Sequence, residues 1–445
     1  MRRLSPLLLA AALALAAVGL GASPPAPGRA PSAGLPLLAR PAPTVAEPAR
    51  TEAVRTEPAR TEAVRALLAR RAAAVLAHDA AAMLGTDDPG SLALAAHDTA
   101  VVANLGAVPL ASWTYDLDPH PNVSRPPPAR PGVEQSWAPR VVLRYALAGY
   151  DARPASLRQD FTFALRDGQW RIAADDDPGA QTARDLWDGG PVVVRRGRHS
   201  LVLAHPADGA LAAGIAAEVD RDIPDVTRVW GGDWARRAVV LVPSGASEMA
   251  AVVQTTADLS AYAAVQSAEL GQTGAGDQTP VGDRIAVNPR AYAAMSPPAR
   301  RVLLTHELTH VATRAATGPD APLWLVEGLA DYVGFAPTGL PVRAVAGDLA
   351  AEVAGGRVPA GLPADADFTA ADRRLPAVYN EAWTACRLIA ARAGESALVR
   401  LYRLLGADTD PDRDAALRRG LAAVLHATPE SFTAAWRASL RAELV

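Results

Sequence analysis

The residues best placed to do chemistry are His306, Glu307 and His310, in the run Arg301-Val-Leu-Leu-Thr-His-Glu-Leu-Thr-His-Val-Ala-Thr. The pattern is HExxH. On a helix, side chains four apart share one face, so both imidazoles can reach one metal ion. Glu307 points close to that ion without binding it, which suits a carboxylate that takes a proton from metal-bound water. The bland alternative is a solvated helix face, but only eight histidines are spread over 445 residues. The apolar residues before and after the motif also predict a buried helix. Two buried histidines and a buried glutamate need polar partners, and a zinc ion supplies one.

A catalytic zinc takes three protein ligands and keeps one position open. Sixteen intervening residues separate His310 from Glu327, which lies in a second helical pattern, Leu323-Trp-Leu-Val-Glu-Gly-Leu-Ala-Asp-Tyr-Val, where Glu327 and Asp331 share a face. Together the two segments resemble the gluzincin metallopeptidases of the peptidase MA-like group. That resemblance implies Glu327 as the third ligand of Zn2+, with Asp331 orienting His306 through its other ring nitrogen. The swapped assignment, Asp331 as ligand and Glu327 in support, stays open. The resemblance further implies a peptide or protein substrate, hydrolysed by water that Glu307 deprotonates before passing the proton to the leaving amine. An oxyanion donor is expected from a later segment; Tyr379 is the candidate and Tyr332 the alternative. A metzincin would need glycine at position 313 and histidine at 316, where this chain has Thr313 and Ala316.

The likeness extends in softer form over about residues 192–442. Arg284-Ile-Ala-Val-Asn-Pro is similar to the sheet-edge strand on which extended peptides lie by strand addition. Residues 377–395 are similar to the helix behind the site.

The motif must sit on a well-marked helix, with Ser296 placed to cap it and Pro297 in its first turn. Short apolar runs at 192–194, 200–204, 238–243 and 284–288 predict strands, with a helix over 208–222 and helical patterns from 297 onward. A few strands followed by helices is α+β order. Upstream, an amphipathic helix over 63–84 precedes alternating stretches at 141–150 and 160–174, the second carrying the hairpin signal Asp167-Gly168. Helix followed by curved antiparallel sheet resembles the NTF2-like cone fold. His78 and His97 read as ordinary helix residues there.

The expected organisation is a secretory signal or retained anchor at 1–23, a Pro/Ala/Arg-rich linker at 24–61, an NTF2-like domain at 62–180 and a metallopeptidase domain at 190–445. The signal rests on Met1-Arg2-Arg3, the apolar run Leu7–Leu20 and the small residues that follow. It implies an exported protein, secreted or anchored at the outer face of the cell membrane. In the linker a decapeptide occurs twice, at 46–55 and 56–65, and reads as a spacer. All 44 basic residues are arginine, yet the formal net charge is -3, so no pull toward nucleic acid is expected. The lone Cys386 excludes an intramolecular disulfide and reads as a buried small hydrophobe. A competing reading is a non-catalytic exported zinc-binding or ligand-binding protein working through its NTF2-like part. An intact Glu307 argues against it, since a structural zinc needs no general base.

Overall fold

A computed structural model describes residues 48–118, 126–260, 262–270, 280–318, 320–368 and 373–445; the expected signal and most of the expected linker lie outside these residues. The architecture is mixed α+β, with small sheets and many helices.

The amino-terminal unit begins with a helix at Pro48–Leu76, so the second decapeptide is helix and not spacer. Its packing explains why. Val64 is fully buried beside Leu67 and Phe163, and the Arg60 guanidinium lies 4.2 Å over the Trp137 ring. The amphipathic stretch then breaks at His78, which takes a positive φ, before a short helix at Ala80–Leu84. The strands are β1 (Leu110–Leu117), β2 (Gln135–Trp137), β3 (Val141–Leu147), β4 (Ala155–Gln159), β5 (Thr162–Arg166) and β6 (Gln169–Ala174). They form two three-stranded antiparallel sheets, β1-β3-β4 and β2-β5-β6, where one curved sheet was expected. The hairpin between β5 and β6 turns on Asp167 and Gly168, both at positive φ, as the two-residue turn demands.

Inside this unit, Arg71 is buried and bonds Asp87 Oδ1 and Thr86 Oγ1, each at 3.0 Å, and Asp98 Oδ2 at 2.5 Å. Two carboxylates share one guanidinium. Burial and then the Asp98 charge push the Asp87 carboxyl up to about 7.

The second sheet system has five strands: β7 (Val193–Arg196), β8 (Ser200–Ala204), β9 (Ala238–Val242), β10 (Ala264–Leu270) and β11 (Pro280–Val287). Their order is β10-β11-β9-β8-β7, with β8, β9 and β11 parallel and the outer two antiparallel to their neighbours. The crossover from β8 to β9 is a long helix, Gly209–Trp230. β11 is therefore interior, and β10 forms the edge. The expected edge strand is displaced by one that the sequence pattern did not announce.

Period-two alternation buries both faces of this sheet. Val202, Ala204, Val240 and Val242 face the helices; Leu201, Leu203, Val239 and Leu241 face the amino-terminal unit, against Leu143, Trp113, Tyr145 and Trp187. Trp187 meets Tyr145 edge-on at 5.1 Å and Trp113 at 5.7 Å. The joint also carries a buried ion pair, Arg284 on β11 to both oxygens of Asp151, at 2.8 and 2.7 Å.

Two outcomes follow. Arg284→Ala leaves Asp151 charged and buried, so denaturant titration should show a loss of about 3–5 kcal/mol; an unchanged midpoint would mean that solvent reaches the pair. Asp87 keeps its proton in the folded chain up to about pH 7, whereas the unfolded chain loses it near the ordinary carboxyl pKa of about 4. Stability from this group is thus present at acid pH and lost as pH rises through 7, and Asp87→Asn should flatten that part of the stability profile relative to wild type.

Candidate metal centre

Ser296 accepts from the Ala299 amide at 3.4 Å and starts the motif helix, Pro297–Thr313. Its residues from Val302 to Thr309 are all buried. The helix is wedged between the crossover helix, the β10–β11 hairpin and a second helix, Leu323–Phe335. Behind the second helix lies a third, Leu375–Ala393.

These helices meet at very short range because glycine stands at the crossings. A Cβ on Gly334 would come within 2.9 Å of the Val302 carbonyl oxygen. One on Gly328 would lie 2.5 Å from the Ala382 carbonyl oxygen and 2.8 Å from Cys386 Sγ. Any side chain at either position pushes the helices apart. Cys386 is fully buried, and burial raises its thiol pKa, so it serves as the expected small hydrophobe.

The close crossing brings His306, His310 and Glu327 together. The two Nε2 atoms lie 2.9 Å apart, and Glu327 Oε2 sits 3.4 Å from His306 Nε2 and 3.5 Å from that of His310. Three ligands of a tetrahedral zinc, with bonds of about 2.0–2.1 Å, are spaced by roughly 3.3 Å. The observed triangle is close to that spacing. Asp331 Oδ1 is on the other nitrogen, His306 Nδ1, at 2.8 Å; this keeps a proton on Nδ1 and turns Nε2 toward the triangle.

Charge also holds the cluster together. Burial opposes charge on His306, but Asp331 and Glu327 outweigh it and hold the imidazole well above its ordinary pKa. Burial likewise disfavours the Glu327 carboxylate, yet the imidazoles of His310 and His306 keep it far below the usual range. Glu327 Oε2 is buried and makes no hydrogen bond. Two ring nitrogens and a carboxylate oxygen facing one point, with that oxygen otherwise unpartnered, is a donor set that fits a zinc ion.

Glu307 is fully buried beside this triangle. Tyr379, on the third helix, is 1% exposed, stacks edge-on to Phe368 at 5.5 Å and leaves its hydroxyl without a partner. Burial, then the carboxylates of Glu327, Asp331 and Glu307, push its pKa well above the usual value, so it remains a protonated donor near the site. Tyr332 is occupied elsewhere, with its hydroxyl 3.0 Å from Glu395 Oε1. Tyr262, in the segment before β10, also buries an unpartnered hydroxyl and is felt at Tyr379. Nothing in the sequence marked Tyr262, because β10 itself went unread. In the amino-terminal unit, His97 is 3.1 Å from Asp188 and stands apart from the triangle.

No protein-family model and no curated protein matches the sequence. Among solved structures, a mutant M1 zinc metallopeptidase from Deinococcus radiodurans, bound to a Tyr-Ser-Ala substrate, aligns with a TM-score of 0.33 and 12% identity. The alignment covers 75% of this chain and 62% of that one, so the chain spans less than two thirds of its length.

Metal content discriminates between the two carboxylates. Glu327→Gln should lose stoichiometric zinc. Asp331→Asn should retain it with affinity lowered about 10–100-fold in chelator competition; the opposite ranking would exchange their roles.

Proposed function

We propose that this chain is an exported zinc metallopeptidase that hydrolyses peptide bonds. The observation that carries the reading is the convergence of His306 Nε2, His310 Nε2 and Glu327 Oε2, with Glu307 buried beside them. When bound there, zinc supplies Lewis acidity, which polarises a carbonyl group and acidifies water.

The remaining work falls to the chain's own residues. Asp331 holds the His306 ring in one tautomer and one orientation. Glu307 takes the proton of the attacking water on a carboxylate oxygen and hands it to the leaving nitrogen as the C–N bond breaks. Tyr379, kept protonated by its surroundings, donates a hydrogen bond to the oxygen of the reacting carbonyl. The glycine-locked helices hold these groups in register.

The amino-terminal unit belongs to this reading as an NTF2-like domain whose part is structural. Its interior buries Arg71 with Asp87 and Asp98 among apolar residues, and its apolar surface covers the sheet that carries the peptidase helices. Export rests on the charged, apolar and small-residue order of residues 1–23, and cell fractionation tests it: protein confined to the cytosol would refute that part.

Glu307→Gln is the decisive variant. It should retain zinc and the thermal stability of the wild type, while turnover on a peptide library falls by a factor of about 10²–10⁴, the usual contribution of a positioned acid–base group. Undiminished hydrolysis would remove Glu307 from the reaction.

A further inference from the structure

One arginine beside the motif is only partly countered by the charges around it. Arg314 follows directly on the motif helix and keeps helical torsions, φ -49 and ψ -45. It lies seven residues beyond Glu307, which on a helix is two turns along, about 10.5 Å, and within about 20° of the same face. The general base and this guanidinium therefore look out on one side of the motif helix.

Among the described residues the Arg314 side chain makes no ion pair and no hydrogen bond, and its Nε is shielded from solvent. The two arginines buried deepest among the described residues are handled differently: Arg71 holds two aspartates and Arg284 grips both oxygens of Asp151. Burial lowers the Arg314 pKa, and Asp283 and the Tyr402 hydroxyl offset this only in part. Asp283 neighbours Arg284 on β11; since Arg284 faces the amino-terminal unit, strand alternation turns Asp283 to the helix side. A half-buried guanidinium that is countered only in part and makes no ion pair is costly unless a ligand completes the balance.

We propose that Arg314 is a specificity-determining residue that binds a carboxylate of the peptide substrate. The proposal rests on the peptidase reading above and adds the class of peptide preferred. At about 10.5 Å from Glu307 along the helix, and about 3.3 Å per residue of extended chain, the carboxylate belongs about three residues from the scissile bond. An acidic side chain and a free C-terminus present the same chemistry.

Four peptides, otherwise identical, resolve this with the zinc-loaded full chain. They carry glutamate or glutamine three residues from the cleaved bond, each with a free or an amidated C-terminus. Wild type should cleave the better carboxylate-bearing peptide with kcat/KM about 30-fold above its neutral counterpart, the scale of a charge-assisted hydrogen bond. The arm that shows the gain identifies the source. Arg314→Gln should narrow the ratio to within about two-fold, and Arg314→Lys should restore part of it. A wild type that cleaves all four equally, or an Arg314→Gln variant that keeps the full ratio, overturns the role of Arg314 and leaves the peptidase reading standing. Zinc-loaded wild type that cleaves none of them, nor any member of a broad library, overturns the peptidase reading itself.

Discussion

Two imidazoles and a carboxylate, turned toward one point inside a protein, are costly to bury unless a cation joins them. The separations of 2.9, 3.4 and 3.5 Å among His306, His310 and Glu327 set that demand, and much of the carboxy-terminal architecture serves to maintain it. Ser296 fixes where the motif helix starts. Gly328 and Gly334 fix how near the neighbouring helices come. Asp331 settles which nitrogen of His306 holds its proton. None of these residues is a proposed ligand, yet each positions a helix or a ring that carries one.

The same principle governs the joint between the two halves. The sheet is apolar on both faces, so something must cover the side away from the helices. The aromatic group Trp113, Tyr145 and Trp187 supplies the area, and Arg284 with Asp151 supplies a directional bond. The pair is tolerable only because both carboxylate oxygens are engaged; a buried half-pair would be strongly unfavourable.

Sequence reading succeeded where a physical period or a fixed chemical spacing was at stake. The meeting of His306, His310 and Glu327 was legible because two helices impose their spacing. The turn at Asp167-Gly168 was legible because few residues accept two successive positive φ values. Reading failed where tertiary contacts override local composition. The second decapeptide resembled a spacer because its alanine, arginine and proline say nothing of Trp137 waiting beneath Arg60. β10 was missed because Ala264–Leu270 mixes alanine, serine, glutamine and glutamate, residues with little strand preference; as a result β11 was taken for the edge. The two separate small sheets of the amino-terminal unit are likewise set by pairing partners, which alternation alone does not specify.

The shared face of the five-stranded sheet has a consequence for how such a chain can change. Leu201, Leu203, Val239 and Leu241 lie between two units that a linear map would separate. Cutting the gene at that boundary would expose a greasy slab on one product and strip the other of its lid. Insertion, shuffling or fusion is therefore better tolerated at loops remote from this seam, and the halves are bound to diverge in step. In calorimetry this corresponds to one cooperative melting event; two well-separated transitions would show that the seam is looser than its packing implies.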